Sequence, residues 1–265
     1  MSPIALTIAG SDSGGGAGIQ ADIKTFSALG VYGCSVITAL TAQNTLGVQG
    51  VFDIDPAFVA RQIDSVLSDI AVDAVKIGML SNQEIIENVS KLIERYQPHY
   101  LVVDPVMVAT SGDELLKQQA IDSLKKLIIP KANIITPNLP EALVLLDCSA
   151  PKTLDDMYHL MDPLMALGAK TVLLKGGHLA GDSAIDLFHD GNTVHLFKSP
   201  RIKTGNTHGT GCTLSSAITA LLAKGYTLTE AVSAGKDYIT ETILHGTELN
   251  IGQGSGPVNH FYRNS

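Results

Sequence analysis

Asn206-Thr207-His208-Gly209-Thr210-Gly211-Cys212-Thr213 runs without a break into Leu214-Ser215-Ser216-Ala217-Ile218-Thr219-Ala220-Leu221-Leu222-Ala223. The first half is uncharged and rich in glycine. The second half has the spacing of an amphipathic helix. Gly209 and Gly211 let the backbone turn tightly and approach a ligand closely. A helix that starts here points the unpaired N–H groups of its first turn at the loop, and with the helix dipole they form an anion site. Cys212 falls where that dipole is expected to lower a thiol pKa and make it more reactive than Cys34 or Cys148, both expected in apolar surroundings. The same residues, taken alone, also describe a plain glycine turn that caps a helix. The rest of the chain decides between the two.

At the other end, Ile4-Ala5-Leu6-Thr7-Ile8-Ala9 is an apolar run that reads as a buried strand, and it feeds Gly10-Ser11-Asp12-Ser13-Gly14-Gly15-Gly16-Ala17-Gly18. A helix is expected from about 17 to 29. No lysine follows these glycines, which excludes a Walker A loop, and no acidic residue closes a second strand where a dinucleotide fold needs one. Between the two glycine motifs, strands are expected at 35–42, 48–54 (an edge), 74–79, 100–106, 133–138 and 171–178. A hairpin at 184–189 and 193–198 turns at Asp190-Gly191-Asn192. Helices are expected at 56–70, 82–95, 113–128, 140–146, 154–167 and 229–245. Strands alternating with helices predict an α/β fold, a mostly parallel doubly wound sheet with helices on both faces, in one domain spanning 1–265. Ligands of such sheets bind outside the carboxyl ends of the strands. Gly10, Gln43, Met79, Asp104, Asn138 and Lys175 all fall at or just past a strand end.

Composition narrows the function classes. Hydrophobic residues make up 45% of the 265 and charged residues 17%, enough for a large core. The net charge of −8, with no basic block, argues against nucleic acid and acidic membrane surfaces. Residues 25–52 carry no Asp, Glu, Lys or Arg, but glycines and amides interrupt them, so strand and loop are expected rather than a membrane span. The N-terminus lacks the basic region of a signal peptide. The cysteines at 34, 148 and 212 have no metal-site spacing, and a reducing, cytoplasmic setting is expected.

At the strand ends, Lys175 can contact phosphate, while Asp104, Asn138 and Glu141 offer oxygens suited to Mg²⁺, directly or through water. Phosphoryl transfer needs this combination, because the protein mainly positions groups and neutralises charge. Each residue also has a bland role: Asp104 a turn former before Pro105, Asn138 and Glu141 a helix cap, Lys175 a solvated strand end. Jointly they favour a site.

Asn206–Cys212 resembles the anion-hole signature of the ribokinase superfamily. Ala9–Asp22, Thr38-Ala39-Leu40-Thr41-Ala42-Gln43-Asn44, Lys76-Ile77-Gly78-Met79 and Thr136-Pro137-Asn138-Leu139-Pro140-Glu141 resemble its branch of hydroxymethylpyrimidine and phosphomethylpyrimidine kinases. The resemblance runs from Ile4 to about Phe261. It implies a ribokinase-like three-layer sandwich and a kinase that uses ATP and Mg²⁺ on 4-amino-5-hydroxymethyl-2-methylpyrimidine and then on its monophosphate, in thiamine biosynthesis. Carried over by motif, Gln43 reads the aminopyrimidine edge, and Gly10, Asp22, Met79 and Val106 line the substrate pocket. Gly209, Thr210, Gly211 and Cys212 form the catalytic anion hole. Lys175, Thr204, Thr207, Lys236 and Asp104 lie on the ATP side, with Asn138 and Glu141 at the metal. The wider superfamily has an aspartate as base where this chain has Cys212, so the base role stays open. That cysteine supports an alternative, a pyridoxal kinase of the pyrimidine-kinase-like type, in which the thiol adds reversibly to the aldehyde. An alternative of another class is a non-catalytic pyrimidine-binding sensor; loss of the metal and anion-hole groups would favour it, and all are present. A homodimer is the expected assembly.

Overall fold

The computed structural model describes residues 2–107, 116–177, 179 and 181–264. The N-terminal half alternates as expected: β1 (Ile4–Asp12), α1 (Gly18–Ala28), β2 (Tyr32–Asn44), β3 (Gly47–Asp53), α2 (Pro56–Leu67), β4 (Ala74–Ile77), α3 (Gln83–Tyr96) and β5 (Tyr100–Val103). The chain continues through α4 (Gln118–Ser123), β6 (Ile134–Ile135), α5 (Leu139–Leu146), α6 (Leu154–Met165), β7 (Val172–Lys175), β8 (Ser183–His189), β9 (Val194–Pro200), α7 (Thr210–Ala223) and α8 (Leu228–Leu244). The nine strands form one sheet in the order β3-β2-β1-β4-β5-β6-β7-β8-β9. β2, β1, β4, β5, β6 and β7 run parallel, and the antiparallel β3 and the β8–β9 hairpin sit at the two ends.

Side chains alternate across each central strand and so divide the core. Val75, Leu101, Val103, Ile135, Val172 and Leu174 pack with α2 to α6. Ala74, Val102, Ile134 and Leu173 pack with α7 and α8 on the opposite face, where α1 completes the layer through Phe26 and Leu29. This is the three-layer, ribokinase-like sandwich. Because β2 lies to one side of β1 and β4 to the other, the strand order reverses beside β1. The carboxyl ends there open a crevice.

Several boundaries differ from expectation for physical reasons. The expected strand 133–138 shrinks to two residues, since Pro137 has no N–H to donate to a ladder. The helix expected at 113–128 is described from Gln118 on. It widens into one π-helical turn over Leu124–Ile128 and a 3₁₀ turn at Ile129–Lys131, around Pro130. Residues 113–115 of that expectation, and His178 of the expected strand 171–178, lie outside the described residues. β1 extends to Asp12 and β2 to Asn44, carrying the ladder past the apolar runs into polar sequence. α7 begins at Thr210, ahead of the apolar stretch, and Cys212 stands in its first turn as expected.

Candidate active site

One cavity of about 660 Å³ opens over the carboxyl ends of the strands. Its centre is the start of α7. Gly209 takes φ +78° as the N-cap residue, and Thr213 closes the first turn by donating to the Gly209 carbonyl at 2.9 Å. The Thr210 amide donates to the Thr207 carbonyl at 3.3 Å, which leaves the amides of Gly211 and Cys212 as the first-turn donors without an intrahelical partner. Thr207, Gly209, Thr210, Gly211 and Cys212 all line it.

Three ammonium groups surround this helix end, each tied to a carboxylate. Lys175, the last residue of β7, donates to Asp104 Oδ1 at 2.8 Å and lies 3.9 Å from Glu141. A Cβ on Gly211 would sit 3.2 Å from the Lys175 ammonium, so glycine is what lets the helix end approach that charge. Asp104 also accepts from Thr136 and Ser215. Burial alone would raise its pKa, but Lys175 and Lys76, with the Lys175 and Thr136 hydrogen bonds, hold it below the usual carboxylate value. Burial works against the charge of Lys175 as well, yet Asp104 and Glu141 lift its pKa above the ordinary lysine value. Lys236 of α8 pairs with Asp186 of β8 at 2.6 Å, and the other Asp186 oxygen accepts the Gly176 amide. Lys76 of β4 is fully buried in the cavity floor and pairs with Asp22 at 2.7 Å.

Asn138 and Glu141 form a reciprocal cap on α5. The Glu141 amide donates to Asn138 Oδ1 at 2.8 Å, and the Asn138 amide donates to Glu141 Oε2 at 2.7 Å. Both residues also line the cavity, so capping and facing the site are one arrangement. Burial pushes the Glu141 carboxyl up to about 7, with Lys175 pulling down and Asp104 pushing up. The donor set fits Mg²⁺, a hard cation that keeps several waters and needs only one or two carboxylates beside substrate phosphates. Among the described residues no group of three or more His, Cys, Asp or Glu is arranged to enclose a metal.

Gly10, Gln43, Met79 and Val106 also line the cavity. A Cβ on Gly10 would fall 2.5 Å from the Met79 methyl, so glycine makes room for that thioether. Gln43 Oε1 accepts from Thr41 at 3.0 Å, which fixes the carboxamide's orientation.

Four expectations need correction. Asp22 does not line the cavity: it is fully buried and accepts from Thr7, Lys76 and Ser216, so its charge compensates the ammonium in the floor. Thr204 is also absent from the lining; its hydroxyl accepts the Asn206 amide in the preceding turn. The Cys212 thiol is pushed up to about 11, not lowered. Burial is the main cause; the nearby Asp22 and Asp104 charges add to it, against Lys76 and the Gly18 amide. Cys34 is buried as expected, but Cys148 is exposed. Asp12, Lys76, Asp186 and His208 were given no role from sequence, yet all four line the cavity. Asp12 and His208 stand inside the two glycine motifs, which was their only signal.

A helix end that gathers negative charge, edged by ammonium groups and carboxylates at the reversal point of a doubly wound sheet, is the working part of a small-molecule kinase of the ribokinase-like class. The match to known proteins narrows the class: residues 12–259 fit the family model for phosphomethylpyrimidine kinase, and the chain belongs to that family. The hydroxymethylpyrimidine/phosphomethylpyrimidine kinase of Rhizobium meliloti is 54% identical over 263 residues, covering 99% of this chain and 98% of that one. A crystal structure of phosphomethylpyrimidine kinase from Clostridium difficile superposes with a TM-score of 0.80 at 51% identity, covering 91% of this chain and 99% of that one. The ADP complex of Bacillus subtilis pyridoxal kinase superposes at 0.92 with 41% identity, covering 100% and 99%. The chain is an enzyme, a phosphotransferase. Among its described residues no helix is long and apolar enough to cross a membrane.

Proposed function

We propose that this kinase transfers the γ-phosphoryl group of ATP to the hydroxymethyl oxygen of 4-amino-5-hydroxymethyl-2-methylpyrimidine, and then phosphorylates the monophosphate to the diphosphate, in thiamine biosynthesis. One observation carries the reading: in a chain that matches the family along nearly its whole length, Gln43 and the Gly209–Cys212 turn face a single cavity. Gln43 supplies a donor and an acceptor, which suit a ring nitrogen beside an exocyclic amine. Gly10, Met79 and Val106 wall the ring. The first-turn amides of α7 receive the charge on the transferring phosphoryl group, a task preorganised donors perform without rearrangement.

Lys175, Thr207 and Lys236 lie on the nucleotide side, and Asp104 holds Lys175 in place. Asn138 and Glu141 would hold Mg²⁺, which would supply charge neutralisation for the phosphates. Cys212, with its pKa near 11, contributes a neutral thiol rather than a base, so the amides are the main catalytic element. A loose phosphoryl transfer asks little of a base. Residues 1–265 act as one kinase unit, and we assign a homodimer, supported by the exposed Leu40, Val51 and Phe52 along β2 and the sheet-edge strand β3. Sedimentation at micromolar concentration checks that assembly.

A second activity, on pyridoxal, is favoured by the superposition on a pyridoxal kinase. The test is ADP release with MgATP and either acceptor, then both in competition. The expected result is two successive phosphorylations of the pyrimidine, which outcompetes pyridoxal. ADP release that is unchanged by the pyrimidine, or a preference for pyridoxal, overturns the reading.

A further inference from the structure

Asp12 and His208 have no part in the transfer as described, yet they are 2% and 7% exposed at the cavity's edge and hold each other at 2.8 Å. A carboxylate offers only acceptors, so His208 Nε2 carries the hydrogen. The same carboxylate takes the amides of Gly14 at 2.8 Å, Gly16 at 3.0 Å and Ala17 at 2.8 Å. One side chain thus closes the first glycine loop on itself and fastens it to the second. Two more contacts run alongside. Gly209 presses against the Gly16 carbonyl so closely that a Cβ there would lie 1.8 Å from the oxygen. The Gly18 amide donates to the Cys212 sulfur. The His208 backbone amide also donates to Gly256 at 3.0 Å, anchoring the histidine to the C-terminal segment.

The first loop continues from β1, whose Gly10 belongs to the acceptor wall. The second loop carries the anion-binding turn. The separation between them sets how far the acceptor oxygen stands from the amides that receive the phosphoryl group. We propose that Asp12 and His208 are a positioning pair for phosphoryl transfer, fixing the acceptor-side loop against the anion turn in the reacting geometry. The inference rests on the kinase reading above. Neither side chain hydrogen-bonds a residue assigned to pyrimidine or nucleotide binding, so the pair acts on turnover rather than on affinity. A misplacement of ~1 Å at a reacting centre costs on the order of 10²-fold in rate.

The experiment is steady-state kinetics on the full chain with His208→Leu and His208→Gln, at varied MgATP and pyrimidine. His208→Leu leaves Asp12 its three amide donors, so the carboxylate stays compensated and the loop stays closed. Glutamine places an N–H close to the position of imidazole Nε2. The expected result is a kcat lowered ~10- to 100-fold in His208→Leu, with both KM values within about threefold, and a His208→Gln variant within about fivefold of the parent. A His208→Leu kcat within about threefold of the parent, a loss confined to KM, or a glutamine variant as slow as leucine overturns the proposal, at the same rate resolution. If His208→Leu does not fold, His208→Asn takes its place, since its shorter side chain cannot reach Asp12; equality with His208→Gln then overturns the pair. The parent is assayed first. If it is inert toward the pyrimidine, the functional reading fails, and the variant-to-parent kcat ratio is read on pyridoxal or on basal ATP hydrolysis instead.

Discussion

Alkylation of Cys212 tests whether burial or the helix end governs the thiol. The perturbation is iodoacetamide at pH 7.5, and the readout is peptide mass spectrometry of Cys212 against Cys148, which is exposed just beyond α5. The thiol at the start of α7 is pushed up to about 11 by burial and by the Asp22 and Asp104 carboxylates. A free thiol titrates near ~8.5, so at pH 7.5 the thiolate fraction of Cys212 is ~300-fold smaller. The more basic thiolate is intrinsically more nucleophilic, and a Brønsted slope of ~0.4–0.5 returns ~10- to 20-fold. The net expectation is alkylation ~20-fold slower than at a free exposed thiol, with a rate that keeps rising with pH to about 11. Cys212 alkylated as fast as Cys148 at pH 7.5, or a rate that levels off below about pH 9, would refute the argument, because both outcomes belong to the helix-lowered thiol. The same reasoning bears on turnover. A neutral thiol is no base, so Cys212→Ser should keep kcat within about threefold of the parent, where loss of a working general base costs ~10²–10⁴-fold.

Asp22→Asn leaves the Lys76 ammonium fully buried without an anionic partner and should cost ~3–5 kcal/mol in urea unfolding; an unchanged midpoint would show that the pair is not needed. Glu141→Gln keeps an acceptor for the Asn138 amide, and hence the cap, while removing the charge, so more Mg²⁺ should be needed for half-maximal rate. The Glu141 pKa is raised, so its carboxylate form dominates above about pH 7 and is lost as pH falls through that value. At limiting Mg²⁺ the parent's rate should therefore drop across pH 8 to 6, and the glutamine variant's profile should be flatter there; overlapping profiles and Mg²⁺ titrations contradict the metal role. Gly209→Ala drives a Cβ to 1.8 Å from the Gly16 carbonyl at φ +78°, and backbone cannot yield as a side-chain tip does, so kcat should fall by ~10²-fold or more. Gly225→Ala, at φ +88° with open space around it, is the control for backbone strain alone and should leave kcat near the parent's.

The fold was legible because its central strands are buried on both faces. Tyr100–Val103 and Val172–Leu174 therefore read as unbroken apolar runs, and a parallel sheet is the structure that needs such runs. Asp190-Gly191-Asn192 marked the hairpin by turn chemistry that acts within three residues. The glycine motifs were legible for the same local reason: Gly209 must take a positive φ, and Gly211 must lie against Lys175. α7 starts at Thr210, where Thr210, Gly211 and Cys212 lack apolar periodicity ahead of the amphipathic stretch, and Gly209 at its N-cap marks that start.

The site's charges were the least legible part, and the reason is distance along the chain. Asp12 and His208 are 196 residues apart, and Lys76 and Asp22 are 54 apart. No spacing rule spans such separations. Asp22 sits in a motif that implied substrate contact, yet its position on α1 puts its carboxylate against the underside of β4, where the buried lysine needs an anion. Cys212 shows how the sign of an effect can turn on the same point. A helix N-terminus acts over one turn and favours a thiolate. Burial beside Asp22 and Asp104, which belong to two other elements, opposes the thiolate and wins. Local sequence can thus mark where negative charge will be welcomed, at the amides of α7. Which side chain is itself charged there depends on the carboxylates that the fold brings underneath. The thiol stays neutral, and the phosphoryl group supplies the negative charge that the helix end is built to receive.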